Sequence, residues 1–487
     1  MRVAIIGAGF GGLSAACHLA GRGHDVVVAE RGDAAGGRVA VAHEAGYTLD
    51  YGATVLTMPG ILSQVFEAAG ASMADHLTLE ALDPMYRATF ADEGEIHVRR
   101  GTEAMRAEIA ASCGAGDAEG FDRFCRWLTD LYALERPHFI DRNFGSPIGL
   151  AWPPGPLLRL VAMGGLRKLD RVVSGYFADP RLRKLFSFQA LYAGLSPFAA
   201  LAIYGVITYM DTIEGVYAPV GGMGAIGPAL ASAAEKAGAT LLWSSPVERI
   251  LRWPSGSARG VRLADGAIIE ADAVVANPDL PVAYRDLVPS VPMPRVARRG
   301  TYSPSCALWV AGVRGELPAG AAHHNIHFGR QWREAFEAVL DRGVRMPDPS
   351  ILVTSASRTD PTLAPPGCST LYALEPVPNL DGAIDWSRER DEVRRSLVER
   401  VGSFGYPVDA EVELWLDPSE WAARGMERGT PFGLSHRFTQ TGPFRPPNAE
   451  RHVPGLYFVG SSTVPGVGVP MVLLSGRLVA ERVEAGA

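Results

Sequence analysis

The chain has 487 residues, of which 47% are hydrophobic and 20% are charged; this excludes a disordered or fibrous protein and is enough for a large core. Its net charge of −7 provides no overall basic footprint, so we expect no nucleic-acid partner. Glycine, proline or arginine interrupts every apolar run before the roughly 20 residues that a bilayer-spanning helix needs. We therefore expect a cytoplasmic protein, with attachment to a membrane surface as a second possibility.

The N-terminus combines a strand, a glycine-rich turn and a helix. Residues 2–6 are mostly β-branched and predict a strand, and the small residues after the turn predict a closely packed helix. In such a turn Gly7 permits the tight bend, Gly9 lets a pyrophosphate approach the backbone, and Gly12 lets the helix pack on the sheet. The N–H groups at the start of the helix favour phosphate. The candidate cofactor contacts here are Gly7, Gly9, Phe10, Gly11 and Gly12.

A second predicted strand, residues 25–29, ends at Glu30, which lies 18 residues beyond Gly12. A carboxylate at this position can accept hydrogen bonds from a ribose hydroxyl, and its charge would repel a 2′-phosphate. Together, the strand, the glycine spacing and the terminal acid predict a dinucleotide site that disfavours NADP.

The next segments indicate which dinucleotide binds. Gly36, Gly37 and Arg38 follow the acid, and a Leu-Asp-Tyr-Gly-Ala segment begins at Leu49. Here the sequence resembles the FAD-dependent amine-oxidase superfamily, and within it the phytoene desaturase family of carotenoid desaturases and isomerases. The resemblance implies FAD, with its diphosphate near Gly36, Gly37 and Arg38, and its flavin beside a segment that consists of Tyr51, Gly52, Ala53, Thr54 and Val55. Arg31, which follows the acid directly, is a further candidate cofactor contact.

The resemblance continues to the C-terminus. In the superfamily the residue at the position of Val247 holds adenine through its backbone, and a closing strand, glycine loop and helix complete the FAD site. The helix begins near Val469 and would direct its positive N-terminal end at the flavin, where negative charge develops on reduction. The contacts implied in this last segment are Gly460, Ser461, Gly468, Val469, Pro470 and Met471.

The implied fold class is α/β, with a Rossmann-like FAD-binding domain of the glutathione-reductase type and an interleaved α+β substrate domain. We assign residues 1–85, 215–285 and 450–487 to a discontinuous FAD-binding domain. Residues 86–214 and 286–449 form the predicted substrate-binding and membrane-facing domain. An Asp265-Gly266 turn between two strands belongs to the central FAD segment.

Residues 159–188 are a candidate membrane contact. From Arg159 to Lys184 there are seven basic and two acidic residues, with leucine, valine and methionine between them. A basic amphipathic helical region of this kind is typical of a segment that lies on an anionic bilayer. Such contact would give access to a lipid-soluble substrate.

The resemblance implies an FAD-dependent oxidoreductase that removes hydride from a long apolar polyene or isoprenoid. Redox cyclisation or isomerisation of a polyene natural product is the alternative. Amine oxidation is less favoured because only three lysines are available, and a flavin-free prenyl-binding protein is disfavoured by the intact glycine motifs. The electron acceptor is left open between O2 and a quinone. No side chain is assigned as catalytic, because the flavin itself would accept the hydride.

We expect no metal site. The five cysteines are scattered without a CxxC pair, and the histidine cluster of residues 323–327 has no carboxylate or cysteine beside it. We interpret that cluster as a surface loop. The stretch 149–153 also lacks the acid that family members often carry before the basic region, so no proton acceptor is assigned.

Overall fold

The computed structural model describes residues 1–91, 93–150 and 152–486; Asp92, Ala151 and Ala487 lie outside the description. The described strands fall into two large sheets and three small ones. The strands are β1 (Arg2–Ile6), β2 (Asp25–Ala29), β3 (Val39–Glu44), β4 (Tyr47–Gly52), β5 (Leu56–Thr57), β6 (Leu79–Ala81), β7 (Tyr86–Phe90), β8 (Gly94–Val98), β9 (Val216–Pro219), β10 (Thr240–Leu242), β11 (Val247–Arg252), β12 (Ala258–Leu263), β13 (Ile268–Glu270), β14 (Ala273–Ala276), β15 (Ser305–Arg314), β16 (His324–Phe328), β17 (Ile351–Thr354), β18 (Cys368–Val377), β19 (Ala410–Leu416) and β20 (Leu456–Phe458).

The helices pack against the sheets and against one another. They are α1 (Phe10–Ala20), α2 (Pro59–Ala68), α3 (Thr102–Cys113), α4 (Ala115–Glu135), α5 (Pro154–Ala162), α6 (Leu169–Val173), α7 (Pro180–Leu185), α8 (Gly205–Thr212), α9 (Ile226–Lys236), α10 (Leu280–Val282), α11 (Arg295–Arg299), α12 (Trp332–Phe336), α13 (Trp386–Ser403), α14 (Pro418–Ala423) and α15 (Val469–Ala485). None of the described helices is both long and apolar enough to cross a bilayer.

The first large sheet is parallel and has the order β10-β2-β1-β14-β20. Its central strands are short, apolar and buried, as expected for parallel strands that are covered on both faces. Its strands lie within the three sequence ranges assigned to FAD binding; the domain boundaries themselves stay a prediction. The small sheet β11-β12-β13 contains the predicted Asp265-Gly266 turn between β12 and β13.

Helix α1 is buried along its whole length between this sheet and neighbouring helices. The Ser14 hydroxyl donates to the Leu473 carbonyl of α15 at 2.7 Å, and a Cβ on Gly476 would lie 2.4 Å from the Ser14 Oγ. The two helices that follow the glycine-rich loops therefore pack backbone to backbone, which fixes the N-terminal ends of α1 and α15 at the same edge of the sheet.

The second large sheet has the order β19-β15-β18-β17-β16-β7-β8 and combines strands from both predicted substrate segments. Strand β16 is central, parallel to β7 and antiparallel to β17. It contains most of the histidine cluster, so our interpretation of residues 323–327 as a surface loop is wrong. His323, His324 and His327 are buried and bond to the hydroxyls of Thr359, Thr354 and Thr89, respectively.

Candidate active site

A single cavity of about 1060 Å³ runs between the two large sheets. At one end it is bordered by the glycine turn after β1 and the end of β2, and at the other by apolar side chains of the substrate segments. Of the predicted cofactor contacts, Gly12 is not among the lining residues. Those that line the cavity are Gly7, Gly9, Phe10, Gly11, Glu30, Arg31, Gly37, Arg38, Tyr51, Gly52, Ala53, Thr54, Val55, Val247, Gly460, Ser461, Gly468, Val469, Pro470 and Met471.

The glycine turn lies close to other backbone segments. A Cβ on Gly11 would lie 3.2 Å from the Gly460 Cα, and a Cβ on Gly37 would lie 2.9 Å from the Gly9 Cα. A Cβ on Gly12 would lie 2.1 Å from the Gly7 carbonyl oxygen, so Gly12 serves the packing of the turn. Backbone from three distant parts of the chain thus meets at the N-terminus of α1, whose first N–H groups have no partner within the helix.

The Glu30 side chain is held in place by backbone N–H groups of the turn. Its carboxylate accepts hydrogen bonds from the Ala8 N–H at 2.6 Å and the Gly32 N–H at 2.9 Å. These bonds fix the carboxylate at the end of β2, where the cavity wall begins. Oxygens held in this way keep lone pairs for a ribose hydroxyl.

Arg38 connects separate chain segments at the end of the cavity beside the glycine turn, which is called the dinucleotide end below. Its guanidinium forms an ion pair with the carboxylate of Asp279, donates to the Ser461 hydroxyl and donates to the Pro431 carbonyl at 3.0 Å. The Asp279 side chain is only 2% exposed and also accepts from the Ser462 hydroxyl at 2.8 Å. The arginine that was predicted at the diphosphate is therefore oriented by protein partners.

The closing segment provides a second helix N-terminus. Strand β20 leads into a glycine loop, and α15 begins at Val469 with a proline in its first turn, where no N–H is needed. Gly468 has φ of 110°, a conformation that L side chains rarely adopt. The start of α15 therefore faces the cavity directly after a bend that favours glycine.

The cavity fits a flavin dinucleotide at this end. Glycines that approach other backbone, two helix N-termini, an anchored carboxylate and an oriented guanidinium are the donors and acceptors that a diphosphate and a ribose need. Bound FAD would supply a hydride acceptor there.

The far end of the cavity is apolar and aromatic. No lysine occurs among the described lining residues. The Arg333 guanidinium is stacked over Phe198 outside this wall, and Phe328 contacts both Phe188 and Trp332 edge-on. The wall includes Leu157, Leu160, Phe188, Ile203, Ile207, Ile326, Phe328, Trp332, Phe336 and Leu352.

Two buried carboxyl groups line this otherwise apolar part. Burial raises the pKa of Asp211 to about 7, although hydrogen bonds from Gln189 and Thr212 oppose the shift. Burial also raises the pKa of Glu135 well above its usual value, and its Oε1 has no hydrogen-bond partner. Nearby, burial lowers the pKa of His436 well below 6.5, and its Nε2 accepts from the Val467 N–H at 3.4 Å.

The predicted membrane segment is not one continuous helix but contains α6, α7 and the end of α5. Three of its basic residues are partly buried and bond to the protein. Arg181 pairs with Asp179, Arg183 donates to the Phe177 carbonyl, and Lys184 donates to the Gly329 carbonyl. The exposed basic residues are Arg159, Arg167, Lys168 and Arg171.

Exposed apolar side chains lie beside these exposed cations. Trp152 is 71% exposed and Leu158 is 66% exposed. Val161 and Leu166 are also exposed, and Leu166 lines the cavity as well. The surface of residues 152–171, called the α5 surface below, thus adjoins the apolar end of the cavity.

Comparisons with known proteins agree with this arrangement. A family model for flavin-containing amine oxidoreductases matches residues 10–484. The phytoene dehydrogenase of Streptomyces griseus is 44% identical over 490 residues, covering 99% of this chain and 94% of that protein. The zeta-carotene-forming phytoene desaturase of Myxococcus xanthus is 38% identical, covering 99% and 93%. The chain belongs to the phytoene desaturase family of flavin-containing amine oxidoreductases.

Solved structures share the fold of this phytoene desaturase family member. An oxidoreductase from Methanosarcina mazei matches with a TM-score of 0.64 at 19% identity, covering 99% of this chain and all of that chain. Putrescine oxidase bound to putrescine matches with a TM-score of 0.61 at 16% identity, covering 100% and 99%. The predicted α/β FAD-binding fold is confirmed, and the protein is an FAD-dependent oxidoreductase.

Several functional candidates were missed in the sequence. Asp279 follows strand β14 by three residues and thus lies at the carboxyl edge of the parallel sheet, where ligands bind. Asp211 and Glu135 carry no local signal. Asp211 lies in the largely buried helix α8, and Glu135 ends α4, a helix with several other charged residues along its exposed side. Only the fold brings these two acids to one cavity.

Proposed function

We propose that this protein introduces carbon–carbon double bonds into a long apolar polyene or isoprenoid. The observation that supports this most directly is the apolar, aromatic-lined cavity of about 1060 Å³, which continues from the dinucleotide end to an exposed apolar surface. Two relatives support the same substrate class: a phytoene dehydrogenase and a phytoene desaturase, which are 44% and 38% identical to this chain over nearly its whole length. An apolar lining of this kind can hold a hydrocarbon in a fixed orientation and exclude water.

We also propose that the predicted cofactor contacts lining the cavity hold FAD. The N-terminus of α1 and Arg38 would bind the diphosphate, and Glu30 the adenine ribose. The backbone at Val247 would hold adenine, and residues 51–55 with the start of α15 would border the flavin ring. The close approaches at Gly9, Gly11 and Gly37 support this assignment.

Amine oxidation is disfavoured by the positions of the lysines. Lys168 donates to the Ala199 carbonyl, Lys184 to the Gly329 carbonyl, and Lys236 lies near His76 at the end of α9. A cationic substrate would also meet an apolar wall in which the nearest carboxyls are buried and have raised pKa values.

The decisive experiment is anaerobic mixing of the purified flavin-loaded protein with phytoene, partly desaturated carotenes and polyene tetramates, with putrescine as the amine control. We expect the flavin absorbance to bleach and a longer chromophore to appear with a polyene, but no change with putrescine. Protein that gains no flavin spectrum, or that bleaches only with the amine, would contradict the proposal. A product of unchanged oxidation state would instead identify isomerisation or cyclisation.

The acceptor that reoxidises the flavin is tested in the same apparatus. The reduced protein is mixed with air-saturated buffer or with an anaerobic short-chain quinone, and the return of flavin absorbance is timed. We propose that O2 or a quinone serves, and the faster of the two under matched concentrations is the physiological candidate.

We further propose that the α5 surface rests on an anionic membrane. Its support is the combination of four exposed cations with Trp152, Leu158, Val161 and Leu166 at the apolar end of the cavity. A cationic and apolar surface binds bilayers through lipid charge and insertion together. A lipid-soluble substrate could then enter the cavity without crossing water.

Vesicle co-sedimentation tests the surface. We expect binding to vesicles with phosphatidylglycerol, weakening with salt, and loss of binding in Leu158→Asp. Leu380→Asp is the matched control, since Leu380 is also exposed, at 42%, but lies outside the α5 surface. Equal binding by both variants, or binding that salt does not weaken, would remove the proposed membrane contact.

A further inference from the structure

We propose that the Asp211 carboxylate is the proton acceptor for the substrate in the apolar cavity. The inference rests on the proposed function, because desaturation removes a proton as well as a hydride. The Asp211 side chain is 2% exposed to solvent, yet it lines the cavity on α8. Among the described residues, Glu135 is the one other acid that lines the apolar part of the cavity. The remaining acids of the lining lie at the dinucleotide end.

Asp211 lies at the end of the cavity where reaction is expected. Helix α8 ends at Thr212, and β9 follows it and pairs with β5, so that Leu56 lies opposite Tyr217. Strand β5 directly follows the segment 51–55, which borders the proposed flavin position. Tyr372, which donates to the Gly52 carbonyl at 2.7 Å, also lines the cavity. Tyr192 raises the pKa of Tyr372, and Asp211 raises the pKa of Tyr192, so Tyr192 lies near both.

Glu135 lies at the other end of α8 and cannot serve equally well. It closes α4, where Leu131 and Leu134 pack with Leu160 of α5, and its charge influences Tyr204, just before α8. From Tyr204 to Asp211 the helix rises about 10 Å. Glu135 therefore lies closer to the α5 surface than it does to the segment 51–55. In addition, no group donates a hydrogen bond to its Oε1, so an anion there would not be stabilised.

Asp211 has the donors that a carboxylate needs. Gln189 Nε2 donates to Oδ2 at 3.2 Å, and the Thr212 hydroxyl donates to Oδ1 at 3.0 Å. Each oxygen keeps a lone pair, so the group can be stable as an anion and still accept a proton. Asp211 is thus a buried carboxyl whose charged and neutral forms are both accommodated.

The proton transfer balances as follows. The proton of one substrate C–H bond goes to an Asp211 oxygen, and that bond's electron pair becomes the new C=C π bond. FAD, when bound, would supply the acceptor for the hydride of the neighbouring carbon, which leaves with the electron pair of its own C–H bond. Asp211 then returns its proton to solvent when the product leaves, and the carboxylate is restored.

The titration of Asp211 suits this role. Its pKa of about 7 lets the carboxylate form predominate above neutral pH while keeping it a stronger base than an exposed aspartate. The titratable groups beside it are Tyr192 and Tyr86, whose pKa values are raised by burial and by the charge of Asp211, so both stay neutral. Gln189 and Thr212, which donate hydrogen bonds to Asp211, carry no charge.

The test measures flavin bleaching by a polyene in single turnovers from pH 5.5 to 9. We expect the wild-type rate to rise with a midpoint near pH 7, and Asp211→Asn to be at least about 100-fold slower without that rise. Asp211→Glu should recover part of the rate. Glu135→Gln, the matched buried acid, should keep the pH dependence. If the flavin of the Asp211→Asn variant bleached at the wild-type rate, the role of Asp211 would be overturned, while the proposed function would stand.

Two further measurements separate a chemical from a structural role. Infrared titration of the substrate-free holoenzyme should show a protonated carboxyl band that disappears near pH 7, is absent in Asp211→Asn and remains in Glu135→Gln. Gln189→Leu removes a donor to the anion and should shift the kinetic midpoint to higher pH. An unshifted midpoint in Gln189→Leu would overturn the inference. Failure of wild type to bleach with any polyene would overturn the proposed function, and the inference with it.

Discussion

Gly12 shows how a single missing methyl group shapes the dinucleotide end. A Cβ at this position would lie 2.1 Å from the Gly7 carbonyl oxygen, a backbone atom that cannot move without opening the turn. The residue is therefore fixed by packing even though it does not line the cavity. Gly466 is a comparable case in the loop before α15, where a Cβ would lie 2.1 Å from the His436 ring.

Substituting Gly12→Ala should consequently weaken both the fold and flavin retention. Overpacking of this kind costs about 1–3 kcal/mol, and we expect a lower melting temperature and loss of flavin on gel filtration. Gly60→Ala is the matched control in α2, where a Cβ meets nothing within 4 Å. Because alanine favours helix over glycine, the control should be neutral or slightly stabilising. An unchanged Gly12→Ala protein would contradict the close packing.

At the scale of elements, the ion pair between Arg38 and Asp279 connects separate parts of the chain. Asp279 stands between β14 and α10 and also accepts from the Glu427 N–H at 3.0 Å. Arg38 precedes β3 and reaches Ser461 after β20. One buried carboxylate thus holds together the loops that would enclose the diphosphate.

Asp279→Asn should release these loops. The substitution leaves the Arg38 guanidinium, which is 30% exposed, without its charged partner. This costs about 1–3 kcal/mol, so we expect a lower melting temperature and weaker flavin binding by fluorescence titration. Glu270→Gln is the control, because Glu270 pairs with Arg259 at the surface with 63% of its side chain exposed. That variant should change stability by less than about 1 kcal/mol. Equal effects of the two would argue against a special role for Asp279.

The same elements show what sequence patterns can and cannot predict. The glycine turn after β1, the turn at Asp265 and the start of α15 were predictable because each depends on neighbours within a few residues. The Arg38–Asp279 pair spans 241 positions, and nothing local signals it. Strand β16 was misread as a loop because its polar histidines satisfy their hydrogen bonds with threonines that only the sheet brings near.

At the scale of the whole molecule, buried histidines and buried carboxyl groups have opposite effects on the pH dependence of stability. Burial lowers the pKa of His323 and His18 to about 4 and that of His327 to about 3, and it also lowers the pKa values of His324 and His436 well below 6.5. Burial raises the pKa of Asp50 to about 6 and of Asp211 to about 7, and that of Glu135 well above 4.5. The histidines are buried neutral, and the carboxyls favour their neutral form.

The pH dependence of stability follows from these shifts. The unfolded chain protonates its histidines below about pH 6.5 while the folded chain does not, so their contribution is lost as pH falls from 6.5 towards 4. The three carboxyls contribute below about pH 4 and lose that contribution as pH rises towards 7. Between pH 6 and pH 5, the stability lost through the five histidines exceeds the stability gained through the three carboxyl groups. Stability should therefore fall by on the order of 2 kcal/mol between pH 6 and pH 5.

His323→Asn tests this balance. Asparagine can keep a hydrogen bond to the Thr359 hydroxyl, which His323 Nδ1 contacts at 2.7 Å, but it takes up no proton on unfolding. The variant should therefore lose less stability between pH 6 and pH 5 than wild type, as measured by melting temperature across that range. His452→Asn, at an exposed position, should keep the wild-type slope. A wild-type slope in His323→Asn would mean that His323 does not limit acid stability, because a neutral buried imidazole must take up its proton when the protein unfolds.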